Sequence, residues 1–118
     1  MYVATIKTLE AHERQLCCAP ISREIVTEEG AEELSRALKA LADPTRLRLI
    51  SMVAAHDEGE ACVCDLTEPL ELSQPTVSHH LRVLVDAGFL SRTKRGTWAY
   101  YRLVPGSLDG IAHLLAAV

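Results

Sequence analysis

The chain has 118 residues, of which 48% are hydrophobic, and its formal net charge is −4. This length fits a single domain, and the hydrophobic share excludes a disordered chain. No stretch approaches the ~20 apolar residues of a membrane span, and the N-terminus has no basic segment followed by an apolar one. We therefore expect a cytoplasmic protein with no membrane partner.

The charge is unevenly distributed along the chain. Residues 1–72 carry seven Lys and Arg against fourteen Asp and Glu, whereas residues 73–104 carry five against one. Because a local basic patch can steer a nucleic acid, the acidic total does not exclude DNA binding.

The first half of the sequence predicts three helices. A short one over residues 4–15 is followed by one from about Thr27, where acidic residues occupy the first turn and suit the helix dipole. The apolar stripe of this second helix is Leu34, Leu38 and Leu41. Asp43-Pro44 then gives an N-cap and a first-turn proline, which predicts a third helix to about Ala55. Its expected apolar residues are Leu47, Ile50, Met52, Val53 and Ala54.

Residues 56–72 predict a polar turn, a short helix over 64–70 and a tight turn. Ser73 then caps another helix, which Gly88 ends. Spacings of three and four place one apolar set on the buried face: Val77, Leu81, Leu84 and Val85. The other side of this helix carries amide, hydroxyl and arginine side chains, which are the groups that a helix in the DNA major groove uses to contact base edges. These candidate DNA-binding residues are Gln74, Thr76, Ser78, His79 and Arg82. The alternative is an ordinary solvated helix.

Residues 89–93 and 97–103 are rich in β-branched and aromatic residues and flank a basic turn, which predicts a β-hairpin. A basic hairpin after a helix-turn-helix is a winged helix, so the predicted fold is mainly α with a small β-hairpin. Arg92, Lys94 and Arg95 are placed to contact a flanking phosphate or minor groove, although a solvated turn is the alternative. A last helix is predicted from Pro105. Its expected apolar stripe is Leu108, Ile111, Ala112, Leu115 and Ala116.

The four cysteines form two close pairs, Cys17-Cys18 and Cys62-Val63-Cys64. In a cytosol they should stay reduced, and thiolates bind soft ions. Residues i and i+2 of a helix point about 200° apart. Cys62 and Cys64 can therefore share an ion only if Cys62 precedes the helix.

Three sulfurs suit As(III) or Sb(III), whereas four suit Cd(II), Pb(II) or Zn(II). We favour the metalloids, because Cys17 and Cys18 are adjacent and no histidine or carboxylate accompanies the thiols. Two alternatives remain open: buried structural cysteines, and an oxidant sensor in which a disulfide bridges the two pairs.

The segments LKALADPTRLRLI (38–50), CVCDL (62–66), LSQPTVSHHLRVLVDAGFL (72–90) and RTKRGTWAYYRL (92–103) resemble the ArsR/SmtB family of bacterial metal-sensing repressors. The resemblance implies a homodimeric winged helix-turn-helix repressor that releases DNA on binding a metal or metalloid. It also implies that N-terminal arms can reach the partner protomer. At His80 the resemblance favours packing or phosphate contact. Asp109 and His113 lack the further ligands of the zinc-type site found in some relatives.

The sequence thus predicts one domain over residues 1–118, with an N-terminal arm (1–26), a DNA-binding core (34–103) and a C-terminal dimerisation helix (105–118). We expect a repressor that binds a pseudo-palindromic operator when ligand-free and is released by As(III) or Sb(III). Its metal ligands would be Cys17, Cys18, Cys62 and Cys64. A Cd(II)/Pb(II)-responsive repressor and a thiol redox sensor are the alternatives. An enzyme is not expected, because no catalytic constellation is present.

Overall fold

A computed structural model describes residues 19–117. The predicted helix over 4–15 and the Cys17-Cys18 pair lie outside the described residues. The described elements, in chain order, are α1 (Glu28–Leu41), α2 (Pro44–Ala55), a 3₁₀ turn (Asp57–Gly59), β1 (Glu60–Cys62), α3 (Val63–Leu70), α4 (Gln74–Asp86), β2 (Leu90–Arg95), β3 (Trp98–Leu103) and α5 (Ser107–Leu115). None of the described helices is long and apolar enough to cross a membrane.

The chain divides into two compact units. The central unit is residues 39–104, and the terminal unit combines residues 1–38 with 105–118. Helix α1 crosses the boundary between them in sequence. The single domain over 1–118 stays a prediction.

Two helices of the central unit begin where the caps predict. The Asp43 carboxylate accepts a hydrogen bond from the Arg46 backbone N–H at 3.1 Å, and Pro44 follows in the first turn of α2. The Ser73 hydroxyl accepts one from the Thr76 N–H at 3.4 Å at the start of α4. Both caps satisfy backbone donors that a helix start leaves unpaired.

The core of the central unit is formed by the inward sides of α2, α3, α4 and the sheet. Its fully enclosed side chains are Leu49, Val53, Leu66, Val77, Leu81, Leu84 and Leu90. The predicted face of α4 is therefore confirmed, except that Val85 is only half-buried. The predicted apolar face of α2 is wrong at Leu47, which is 53% exposed, and at Ala54, which is also exposed, whereas Leu49 is fully buried.

The predicted hairpin is present, and it belongs to a three-stranded antiparallel sheet in the order β1-β3-β2. Residues Leu90 to Arg95 pair with Leu103 to Trp98. Strand β1 pairs with the other edge of β3, with Glu60 opposite Arg102 and Cys62 opposite Tyr100. Sequence analysis assigned Glu60 to a polar turn, so β1 is a correction to that prediction.

The terminal unit brings the two ends of the described chain together. The Ile21 backbone N–H donates to the Leu114 carbonyl at 2.9 Å, and the Ser22 hydroxyl donates to the Ala116 carbonyl at 3.4 Å. On α1 the buried face includes Leu34 and Ala37. Of the predicted apolar stripe, Leu34 is buried, whereas Leu38 is only half-buried.

The predicted stripe of the last helix is largely exposed in this single chain. Ile111 is buried, together with Leu114, which the prediction omitted. Leu108 and Leu115 keep substantial exposure, and Ile25 elsewhere in the unit is 96% exposed. An apolar surface of this kind favours a partner.

Candidate nucleic-acid interface and thiol site

The outward side of α4 presents most of the predicted reading residues to solvent. Gln74, Thr76, His79 and Arg82 are exposed, and Ser78 is half-buried. Within residues 19–117, no hydrogen bond or ion pair involves the side chains of Gln74 and Arg82. These two side chains are free to contact a ligand on that side of the helix.

His80, next to the reading residues, is held from inside the protein. The Arg46 guanidinium donates to its Nδ1 at 3.0 Å and to the Ala40 carbonyl at 2.7 Å. A guanidinium has only N–H groups, so Arg46 is the donor in both contacts. Of the two roles expected for His80, this arrangement favours packing.

Asp43 completes the cluster around Arg46. The Arg46 backbone N–H bonded to the Asp43 carboxylate is the main cause that lowers the pKa of Asp43, and the charge of Arg46 acts in the same direction, against desolvation. The cluster ties the start of α2 to α4 through the Arg46–His80 hydrogen bond.

The three predicted basic residues of the hairpin do not share one side. Neighbouring residues of a strand point to opposite faces, so Arg92 and Lys94 lie on one face of β2 and Arg95 on the other. Arg92 Nε donates to the Tyr101 hydroxyl at 3.3 Å. Lys94 is exposed, and no described residue pairs with its ammonium group.

Arg95 is engaged by the protein itself. Its guanidinium lies 4.5 Å from the centre of the Tyr100 ring and forms an ion pair with Glu60. Arg102 Nη2 binds the other oxygen of the Glu60 carboxylate at 3.0 Å. The partners of Glu60 are about 35 to 42 positions away in the chain, so no local sequence pattern indicates these ion pairs.

Cys62 and Cys64 meet the condition for sharing one ion, because Cys62 precedes the helix that contains Cys64. Cys62 is the last residue of β1 and has extended backbone angles (φ −94°, ψ 165°), whereas Cys64 lies in the first turn of α3. Their Cα atoms are 5.4 Å apart and a disulfide joins them. The two sulfurs therefore lie within bonding reach of each other, and the expectation that these cysteines are reduced in a cytosol stays a prediction. The strand-to-helix junction brings the two sulfurs together instead of separating them.

A carboxylate accompanies these sulfurs, contrary to the sequence analysis. One ligand atom each of Cys62, Cys64 and Asp65 lies within 4.8 Å of the others. The Asp65 carboxylate accepts from the Cys62 N–H at 3.0 Å and lies 3.6 Å from His56 Nε2. An acid three residues after an N-cap is the capping-box signal that identifies this contact from sequence.

The donor set fits a soft ion once the disulfide is reduced. Two thiolate sulfurs and an Asp65 carboxylate oxygen then lie close enough together to bind the same ion. Cys64 is exposed and Cys62 is buried, so an ion would approach from the Cys64 side. Cys17 and Cys18 fall outside the described residues, and their role as ligands stays a prediction.

Comparison with known proteins identifies the family. A family model described as "Bacterial regulatory protein, arsR family" matches residues 43–92. An arsenical resistance operon repressor of Bacillus subtilis is 42% identical over 73 residues, which cover 62% of this chain and 68% of that protein. The chain belongs to the ArsR family. The resemblance noted in the sequence is thereby confirmed.

Other ArsR-family relatives are similar over shorter or comparable lengths. The arsenic resistance transcriptional regulator ArsR1 of Pseudomonas putida is 54% identical over 67 residues, covering 57% of this chain and 51% of that protein. The chain therefore matches about half the length of that regulator. A cadmium resistance regulatory protein CadC homolog of Staphylococcus aureus is 36% identical over 78 residues, covering 66% of this chain and 63% of that protein.

Solved structures place the fold in the same family. The AntR antimony-specific transcriptional repressor matches with a TM-score of 0.63 and 33% identity, covering 75% of this chain and 79% of that one. A homodimeric winged helix-turn-helix domain from Mycobacterium bovis matches with a TM-score of 0.59 and 27% identity, covering 72% and 73%. The predicted winged helix-turn-helix fold is confirmed for this member of the ArsR family.

Proposed function

We propose that this protein is a repressor that holds operator DNA when ligand-free and releases it when As(III) or Sb(III) binds cysteine thiolates. The observation that carries the proposal is the junction of β1 and α3, where Cys62 and Cys64 meet at the start of the first helix of the helix-turn-helix. Relatives named for arsenical resistance and antimony specificity support the choice of metalloid.

DNA recognition is assigned to the two exposed elements of the central unit. Gln74, Thr76, Ser78, His79 and Arg82 on α4 would read bases or fix phosphates in the major groove. Lys94, with Arg92 and Arg95, would contact the flanking backbone. These roles follow from exposure and donor chemistry.

A homodimer would give the operator its pseudo-palindromic symmetry. The exposed Leu108 and Leu115 of α5 favour burial against a second copy, and the M. bovis relative is homodimeric. Two recognition helices would then lie about one DNA turn apart, roughly 34 Å. Each protomer would contribute Cys62 and Cys64, with Cys17 and Cys18 supplying further sulfurs.

A Cd(II)- or Pb(II)-responsive repressor is supported by one observation that the sequence analysis lacked. The Asp65 oxygen beside the sulfurs is a harder donor, which suits borderline divalent ions better than a purely thiolate set does. The relative named for cadmium resistance points the same way.

A thiol redox sensor is the second candidate function, and the Cys62–Cys64 disulfide favours it. A peroxide would oxidise the two thiols to the disulfide and be reduced to water. This pairing differs from the expected bridge between the two cysteine pairs.

One titration separates these functions. Reduced protein bound to operator DNA is titrated with arsenite, antimonite, Cd(II), Zn(II) and hydrogen peroxide, and the bound fraction is followed by fluorescence anisotropy. Release by arsenite and antimonite at the lowest concentrations supports the proposal. Release by Cd(II) alone, or by peroxide alone, identifies the corresponding alternative.

Two serine substitutions test the ligands. Cys64→Ser should keep operator affinity near the wild-type value and abolish the arsenite response, because one thiolate is lost. Ser51→Ala, on the exposed side of α2, is the matched control and should respond normally. Cys17→Ser tests the N-terminal pair in the same way. An unchanged response would remove Cys17 from the ligand set.

A further inference from the structure

The Glu60 side chain joins the thiol strand to the basic hairpin. Its carboxylate pairs with Arg95 through one oxygen and with Arg102 through the other. Only 13% of the Glu60 side chain is exposed, against 55% for Arg95 and 52% for Arg102. The largely buried Glu60 carboxylate thus binds two guanidinium groups whose side chains are about half exposed to solvent.

The position of Glu60 in β1 links these ion pairs to the cysteines. Residues two apart in a strand share a face, so Glu60 and Cys62 lie on the same side of this three-residue strand. Cys62 is opposite Tyr100, whose ring carries the Arg95 guanidinium. The thiol strand therefore reaches Arg95 by two routes, through the Glu60 carboxylate and through Tyr100.

We propose that Glu60 is a positioning residue that couples ion binding at Cys62 and Cys64 to the hairpin that contacts DNA. This inference rests on the proposed function. When both sulfurs bind one ion, the direct sulfur–sulfur contact of the structure is replaced by two bonds to the ion, so the position of Cys62 relative to Cys64 at the start of α3 changes. Only Ala61, which is buried and paired with Tyr101, separates Cys62 from Glu60. A shift of Cys62 is therefore transmitted along the strand to Glu60. The ion pairs to Arg95 and Arg102 then change, and the basic groups of the hairpin are redirected.

The alternative for Glu60 is an ordinary surface ion pair, which contributes little to stability. The two roles predict different results. A surface ion pair changes stability slightly and leaves the response to an ion unaltered. A coupling residue changes the response while ion binding itself is preserved.

The test compares Glu60→Gln with Glu58→Gln. Both variants remove one negative charge with almost no change in shape, and Glu58 is an exposed residue of the 3₁₀ turn with no ion pair to any described residue. Operator affinity of the full-length reduced protein is measured by anisotropy with and without saturating arsenite. Arsenite bound per protomer is measured separately by elemental analysis after gel filtration.

Allosteric couplings typically change affinity by about 5–150-fold, and arsenite should weaken operator binding by a factor in this range in the wild type and in Glu58→Gln. In Glu60→Gln we expect the same arsenite stoichiometry but a factor at least about fivefold smaller. An equal factor in both variants overturns the role of Glu60 and leaves the proposed function standing. A wild type that binds arsenite without releasing DNA overturns both proposals.

A second variant guards against misfolding of Glu60→Gln. Arg102→Gln breaks the same cluster from β3 and leaves Glu60 in place. It should also reduce the arsenite response, with an unchanged thermal unfolding midpoint. A normal response in Arg102→Gln, together with a disordered Glu60→Gln, would mean that Glu60 is a folding residue and would overturn the coupling.

Discussion

Helix α4 and the β2–β3 hairpin both present cationic or polar groups, but they hold them differently. On α4 the side chains of Gln74 and Arg82 have no hydrogen-bond partner among the described residues. On the hairpin, Arg92 is bound to Tyr101, and Arg95 is bound to Glu60. Gln74 and Arg82 of the helix are uncommitted, whereas two of the three hairpin cations, Arg92 and Arg95, are already oriented by the protein and Lys94 alone is unpaired among the described residues.

This difference indicates a division of labour. Free side chains on a rigid helix can adapt to base edges, which specify sequence. Oriented charges suit a phosphate backbone, which has the same chemistry at every step. Two hairpin charges, Arg95 and Arg102, are also ion-paired to Glu60 in the strand that ends at Cys62.

The largest expected effect is on stability, and it distinguishes the buried side of α4 from its exposed side. Leu81→Ala should lower the free energy of unfolding by about 2–5 kcal/mol, because Leu81 is fully buried and its truncation leaves a cavity. Urea unfolding followed by circular dichroism measures the change. Arg82→Ala, one residue further along, should unfold at the wild-type midpoint. If Arg82→Ala is equally destabilised, the outward side of α4 has a structural role.

The next effect concerns sequence reading by α4. Arg82→Ala should weaken operator binding by about 1–3 kcal/mol if Arg82 reads a base, and should relax the preference at that position. Anisotropy with single-base operator variants measures both. A loss that is uniform over all DNA sequences would instead assign Arg82 to a phosphate.

A smaller effect is expected at the hairpin. Lys94→Ala should weaken binding to every DNA sequence and reduce the slope of log affinity against log salt by about one, because one phosphate contact is lost. The measurement is a salt titration on operator and on unrelated DNA. Thr93→Ala, the preceding exposed residue, is the control and should keep the full slope. A base preference that changes in Lys94→Ala would contradict the comparison between helix and hairpin.

The smallest effect tests the cluster that ties the start of α2 to α4. The pKa of Asp43 is lowered in the folded protein, mainly by the Arg46 N–H. Its stabilising contribution is therefore complete above the unfolded value of about 3.9 and is lost as the pH falls through the lower folded value. Asp43→Asn should be slightly less stable than wild type at pH 7, and the difference should close at low pH. A constant difference would exclude the carboxylate charge as its cause.

Local signals in the sequence were enough to place most of the fold. Asp43-Pro44 and Ser73 start their helices where the caps require, and the spacing of Val77, Leu81 and Leu84 defines the buried face of α4. These features depend on residues close together in the chain. The candidate reading residues of α4 were predicted for the same reason.

Features set by distant contacts were not predicted. Strand β1 is three residues long and is held by pairing with β3, some forty positions later, so it has no alternation of its own. Glu60 was assigned to a turn, and Arg95 was treated as free for that reason. Leu47 matched the apolar spacing of α2, but the inward position belongs to Leu49.

The sheet order leaves the outer edge of β2 without a neighbouring strand among the described elements. An unpaired strand edge can pair with a strand of another copy, which starts aggregation. Lysine and arginine side chains on the edge strand oppose this pairing by charge repulsion. Arg92, Lys94 and Arg95 occupy that edge. Two copies at high concentration would repel each other at this edge, so the positive charge proposed to contact a duplex would also oppose polymerisation through the sheets.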